Sequence, residues 1–99
     1  MDLSISFRNA DPSPAVVARV ERRARDLEPL LQWRPRLRVV CGHDAGFADT
    51  EVVARVNGRD LVARAKDEDM YEAVEDAFDR LEQQVARHHQ RQLRRRHPR

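Results

Sequence analysis

A chain of 99 residues has room for one domain with one core and not for a deep enzymatic cleft, since at this size only about 60–68% of the unfolded surface is buried. Charged residues make up 36% and apolar ones 40%, in clear periodic patterns, which excludes a disordered chain, and no apolar run approaches the roughly 18 residues of a membrane span. The net charge is only +2, yet eighteen of the nineteen basic residues are arginine, the side chain that pairs bidentately with phosphate and stacks on bases.

Leu3, Ile5 and Phe7 alternate with Ser4, Ser6 and Arg8, a period of two that predicts a first strand with one buried face. Ser13-Pro14 then supplies an N-cap followed by proline at the first helical position. Val16, Val20, Ala24, Leu27 and Leu31 continue at helical spacing, so a helix is expected from Pro14 to about Glu28. Pro29 and Pro35 bracket its exit loop, from which Trp33 is expected to cap the core.

Leu37, Val39 and Cys41 alternate with Arg36, Arg38 and Val40 as a second strand, and Gly42 to Asp49 carries turn residues. Val52, Ala54 and Val56 form one face of a third strand, closed by Asn57-Gly58, a strong type I′ hairpin signal. The fourth strand returns through Leu61, Ala63 and Ala65, with Val62, Arg64 and Lys66 on its opposite face.

The last third, Asp67 to Arg96, is one helix pattern with apolar residues at Met70, Val74, Ala77, Phe78, Leu81 and Val85. Its charge reverses sign midway. Seven acidic and no basic residues lie between Asp67 and Asp79, whereas Arg80 to Arg99 holds seven arginines, three histidines and only Glu82. The helix macrodipole accounts for Asp67, Glu68 and Asp69, at about 0.3–1 kcal/mol per group, but fades within a turn. Arg87, Arg91, Arg94, Arg95 and Arg96 lie beyond its reach and repel one another, so an anionic partner is expected at that end.

The resulting order, β-α-β-β-β-α, is an α+β fold with a four-stranded sheet and both helices packed on one face. The other face, with Ser4, Ser6, Arg8, Arg36, Arg38, Arg55, Arg64 and Lys66, stays open to solvent. Residues 1–93 are expected to form the domain, and residues 94–99 a short basic tail in which Pro98 opposes further helix.

Chemistry finds little foothold. Cys41 is the lone cysteine, which rules out an internal disulfide and fits a reducing, cytoplasmic setting, as does an N-terminus without the signal-peptide pattern. His88 and His89 are adjacent and diverge by about 100° on a helix, with no partner at zinc spacing. Gly42, Gly46 and Gly58 form no phosphate-binding loop, and nothing marks an oxyanion hole beside Cys41, His43 and Asp44. No enzyme activity, metal, cofactor, small-molecule substrate or membrane contact is therefore expected.

What remains is a basic surface, with Arg19, Arg22 and Arg23 on the first helix and Arg80, Arg87, His88, Arg91, Arg94 and Arg95 on the second. Such a surface suits a structured RNA, read through backbone charge and shape, and aromatic platforms for single strands are missing. The alternative is a protein-interaction regulator of a stress or transcription factor, using Glu68, Asp69, Glu72, Glu75, Asp76 and Asp79.

Glu68-Asp69-Met70-Tyr71 and the helix that follows resemble the ribosome hibernation-promoting factors and ribosome-associated inhibitors. So do Leu3-x-Ile5, Leu27-Glu28, Ala63-x-Ala65, and Leu81 with Arg87-His88. The resemblance spans essentially the whole chain and implies a relative of the double-stranded-RNA-binding domain. It further implies a non-enzymatic translation inhibitor, placed in the mRNA and tRNA channel of the small ribosomal subunit and in contact with its ribosomal RNA. Carried over by position, the family's basic helix residues fall on Arg23, Arg80, Arg87, His88 and Arg91. Asp26, Gln83 and Ala86 stand where basic residues are common, and Phe7 where a small residue usually ends the first strand. The length is similar to the family's short form, which silences ribosomes or pairs them with the help of a second hibernation factor.

Overall fold

The alternating and helical patterns resolve into β1 (Asp2–Arg8), α1 (Pro14–Leu27), a 3-10 turn at Glu28–Leu30, β2 (Arg36–Asp44), β3 (Phe47–Val56), β4 (Arg59–Asp67) and α2 (Met70–Arg96). The computed structural model describes residues 1–31 and 34–96, apart from the side chains of Gln92, Arg94, Arg95 and Arg96. Trp33, expected over the core, lies outside the described residues, as do residues 97–99.

The sheet order is β1-β2-β3-β4. β1 and β2 are parallel, as the intervening α1 crossover requires, while the two hairpins make the remaining pairs antiparallel. Leu37, Val39 and Cys41 of β2, Val52, Ala54 and Val56 of β3, and Ala63 and Ala65 of β4 share one buried face. Onto it pack Val16, Val20, Ala24 and Leu27 of α1 and Val74, Ala77, Phe78, Leu81 and Val85 of α2. Each large side chain there contributes about 1.5–3 kcal/mol by leaving water. The small alanines of β4 admit α2 close to the sheet, and both helices lie on the same side, as expected.

Both helices start on side-chain caps. Ser13 Oγ accepts from the Val16 N–H at 3.3 Å, and Asp69 Oδ1 accepts from the Tyr71 N–H at 2.9 Å, with Asp67 Oδ1 in turn accepting from the Asp69 N–H at 3.0 Å. The acidic opening of α2 is thus partly capping machinery.

Gly42 to Asp49, expected as a turn, is mostly strand. β2 continues to Asp44 and β3 begins at Phe47, leaving Ala45 and Gly46 as a two-residue turn with φ of 52° and 84°, the type I′ geometry. Alanine rarely takes positive φ, so the sequence masked this hairpin while Asn57-Gly58, at 54° and 75°, announced the other. Gly42 pairs with Arg8 on one side and Asp49 on the other, and a Cβ there would stand 2.9 Å from the Arg8 carbonyl oxygen.

Candidate nucleic-acid interface

The arginines sort by whether a carboxylate faces them. Along the seam between the helices, Arg19 Nη1 donates to Glu75 Oε2 at 2.8 Å. Arg23 donates to both Glu75 Oε1 and the Glu75 carbonyl, to Asp79 Oδ1 at 2.8 Å and to Glu82 Oε2 at 3.0 Å. The partners advance together along both chains, so α1 and α2 run side by side in the same direction. The guanidinium carbons also sit over rings of α2, Arg19 at 5.2 Å from the Tyr71 centroid and Arg23 at 5.5 Å from that of Phe78.

Burial alone would favour a neutral Arg23 side chain, but hydrogen bonds to Asp79, Glu75 and Glu82 outweigh it and hold the guanidinium protonated above its ordinary range. Burial likewise opposes ionisation of Glu75, yet Arg23 and then Arg19 hold its carboxyl below the usual range. The acidic half of α2 therefore has an intramolecular partner, and the acidic surface of the alternative reading shrinks to Glu68, Glu72 and Asp76.

The open sheet face is also largely self-paired. Register sets Asp2 beside Arg36, Arg55 beside Asp60 and Glu51 beside Arg64, and each couple forms an ion pair, at 3.4, 3.1 and 2.7 Å. Lys66 reaches Asp44 at 3.5 Å. Of the basic residues expected there, Arg8 and Arg38 have no carboxylate partner among the described residues. Cross-strand pairing of this kind satisfies the face without RNA.

The flank of α2 opposite α1 is different. Arg80, Gln84, Arg87 and Arg91 follow one another at helical spacing along the free edge of β4. Arg80 Nη1 donates to the Arg64 carbonyl at 2.5 Å and Gln84 Nε2 to the Val62 carbonyl at 2.7 Å, covering edge acceptors that no strand pairs. Further along, Arg87 and Arg91 join Gln84, His88, Arg59 and Leu61 around a groove of about 240 Å3. Among the described residues, none of Arg59, Arg87 and Arg91 has a carboxylate within ion-pair distance.

The expected site residues are thus divided rather than gathered. Arg19 and Arg23 belong to the helix seam, with the Arg23 side chain only 12% exposed. Arg22 is exposed on the outer side of α1, and Arg80, Arg87 and Arg91 share the β4 flank. His88, expected on the basic surface, is 5% exposed, because it follows Leu81 and Val85 in the buried stripe and approaches Asn57 of the β3–β4 turn at 3.5 Å. Arg94 and Arg95 lie on the last turn of α2, and their side chains fall outside the described residues. Arg59 was not anticipated. Strand parity marks it, since it stands two residues before Leu61 on the helix side of β4, paired with buried Val56.

A second hollow, of about 540 Å3, opens at the helix N-termini between Phe7, Asp11, His43, Met70 and Tyr71. Asp44 does not reach it, since its carboxylate faces Lys66, and Ser13 Oγ at its rim serves as the α1 cap. Cys41 is fully buried, and burial pushes its thiol above the ordinary range. Among the described residues, no three His, Cys, Asp or Glu side chains are placed to hold a metal ion, and no helix is long and apolar enough to cross a membrane.

Residues 3–94 match the family described as Sigma 54 modulation protein / S30EA ribosomal protein. A ribosome hibernation promoting factor from Azotobacter vinelandii is 28% identical over 95 residues, covering 96% of this chain and 89% of that protein. Among solved structures, the N-terminal domain of Thermus thermophilus Protein Y aligns with a TM-score of 0.79 and 30% identity, over 88% of this chain and 98% of that one. A ribosomal subunit interface protein from Coxiella burnetii aligns with a TM-score of 0.77 and 18% identity, over 89% and 97% of the two chains, a likeness of fold.

Proposed function

Because the chain belongs to the Sigma 54 modulation protein / S30EA ribosomal protein family of ribosome-associated hibernation and interface proteins, we propose that it is a non-enzymatic translation inhibitor of the small ribosomal subunit. In this reading its β4-side arginine flank lies against ribosomal RNA in the channel otherwise used by mRNA and tRNA. Residues 1–93 act as the ribosome-binding unit and residues 94–99 as a basic tail whose first three residues continue α2. The place of action is the cytoplasm, where ribosomes work.

One observation carries the reading: Glu75, Asp79 and Glu82 of α2 are paired with Arg19 and Arg23 of α1, while Arg87 and Arg91 have no carboxylate within ion-pair distance among the described residues. Unpaired guanidiniums on a rigid helix are suited to bidentate contact with phosphates, each contact contributing about 1.5–3 kcal/mol. Arg94 and Arg95 at the end of α2 are assigned to the same RNA surface, and Arg22, on the outer side of α1, to a separate RNA contact. Arg19, Arg23 and buried His88 serve it by fixing the helices and the β3–β4 turn.

Sedimentation of a cell lysate through a sucrose gradient tests this directly, with the protein expected in the small-subunit and ribosome fractions. The double substitution R87E/R91E, at two exposed positions, is expected to leave the circular dichroism unchanged and to weaken small-subunit binding by at least about 3 kcal/mol, or more than a hundredfold. Binding retained by that variant, or a wild-type protein that stays at the top of the gradient, would discard the proposal.

A further inference from the structure

We infer that Arg59, at the mouth of the β3–β4 hairpin, completes with Arg87 and Arg91 a cradle for one phosphate group, so that the hairpin as well as α2 reads the RNA backbone. The inference rests on the ribosome-binding reading and adds to it a residue from a second element.

Three observations converge on it. The type I′ turn at Asn57-Gly58 starts β4 with Arg59 on the helix side, where Asp60, its chain neighbour, is turned to the other face and paired with Arg55. Arg59, Arg87 and Arg91 then line one groove of about 240 Å3, all three exposed, with Leu61 at its side and no carboxylate in ion-pair range among the described residues. Elsewhere six basic side chains have acids beside them, Arg19 and Arg23 meeting Glu75, Asp79 and Glu82, Arg36 Asp2, Arg55 Asp60, Arg64 Glu51 and Lys66 Asp44. Three like charges around one hollow repel unless an anion enters it, and planar guanidinium forks converging from two elements match the several oxygens of a phosphate. The hairpin and α2 approach each other on the same side, where Asn57 lies 3.5 Å from the buried His88 between Arg87 and Arg91.

The phosphate has two possible sources, an RNA phosphodiester or a free phosphate ion, and one variant separates them. R59Q alters an exposed side chain beside a turn and leaves the buried face untouched. Wild type and R59Q are compared for binding to purified small ribosomal subunits between 50 and 200 mM salt, about the range over which such contacts are resolved. They are also compared for the response of the arginine Nε–H signals to inorganic phosphate in NMR. With an RNA phosphodiester in the cradle, R59Q binds subunits about tenfold more weakly at 100 mM salt, with a log–log salt slope shallower by less than one full phosphate contact because Arg87 and Arg91 remain. Should subunit binding be equal in the two proteins, or missing in both, while phosphate moves the Arg59, Arg87 and Arg91 signals only in wild type, the cradle stands and its ligand is the free ion. Equal subunit behaviour with no phosphate response overturns the inference, and it does so whether or not the wild-type protein binds ribosomes.

Discussion

Arg23 illustrates how one residue type can carry opposite duties in one chain. By its family position it reads as an RNA contact, yet its side chain is 12% exposed, with the guanidinium tied to three carboxylates of α2 and stacked over Phe78. Removing one partner of a buried pair costs about 3–5 kcal/mol, a figure to be discounted here because Glu75, Glu82 and Asp79 retain 27–60% of their side-chain exposure. R23M is therefore expected to lower the unfolding free energy by about 1–3 kcal/mol in urea titration, and an unchanged midpoint would show the seam to be energetically idle. The pH dependence follows from Glu75, whose carboxyl is held below its ordinary value of roughly 4.3. A depressed carboxyl contributes stability that is present above the unfolded value and lost as pH falls through the folded one. Wild type should thus lose stability below about pH 4.5, and R23M should lose less over the same interval. Ala45 makes a contrasting case. It holds φ of 52° in the β2–β3 turn, and positive φ costs a non-glycine residue about 1–2 kcal/mol, so A45G is expected to raise the melting temperature, with a gain of about 1 kcal/mol.

At the scale of elements, the exposed edge of β4 is the place where the fold is most open to error, since unpaired strand acceptors invite a second chain. α2 covers them with Arg80 and Gln84, which donate to the Arg64 and Val62 carbonyls. R80A/Q84A is expected to cost about 1–2 kcal/mol in stability and to raise light scattering on warming, whereas a variant as dispersed as wild type would show that the bulk of α2 alone protects the edge. The elements themselves were legible because their signals are local. Leu3-Ser4-Ile5 alternates, Ser13-Pro14 caps, and Asn57-Gly58 turns within a few residues of what they control. The β2–β3 hairpin was hidden because Ala45 occupies a position that glycine or asparagine would have advertised. The site was less legible. Arg23 and Asp79 are 56 positions apart, and only the approach of α1 to α2 decides that they meet rather than face solvent. His88 was readable as the next step after Leu81 and Val85, but a polar side chain disguised the continuation of the apolar stripe.

For the whole molecule, the decisive property is how 19 basic and 17 acidic residues are arranged rather than how many there are. A net charge of +2 supplies little long-range attraction to RNA, so affinity has to come from local contacts. Ion pairs along the helix seam and across the open sheet face engage Arg19, Arg23, Arg36, Arg55, Arg64 and Lys66 and withdraw them from that role. Arg59, Arg80, Arg87, Arg91, Arg94 and Arg95 follow the β4 flank and the far end of α2, where the helix continues past the sheet in an elongated body of 52 × 23 × 19 Å. This arrangement makes the salt dependence of binding a count of contacts. With the Arg59, Arg87 and Arg91 cradle neutralising one phosphate and Arg22, Arg80, Arg94 and Arg95 one each, and roughly 0.7–0.9 of slope per phosphate, the log–log plot of small-subunit affinity against salt should fall with a slope of about −4. A slope steeper than about −8 would require the paired arginines of the seam or the sheet face to open toward RNA, contradicting the division of labour derived from their ion pairs. A slope shallower than about −2 would leave the arginine end of α2 without its proposed partner and return the binding energy to contacts between proteins.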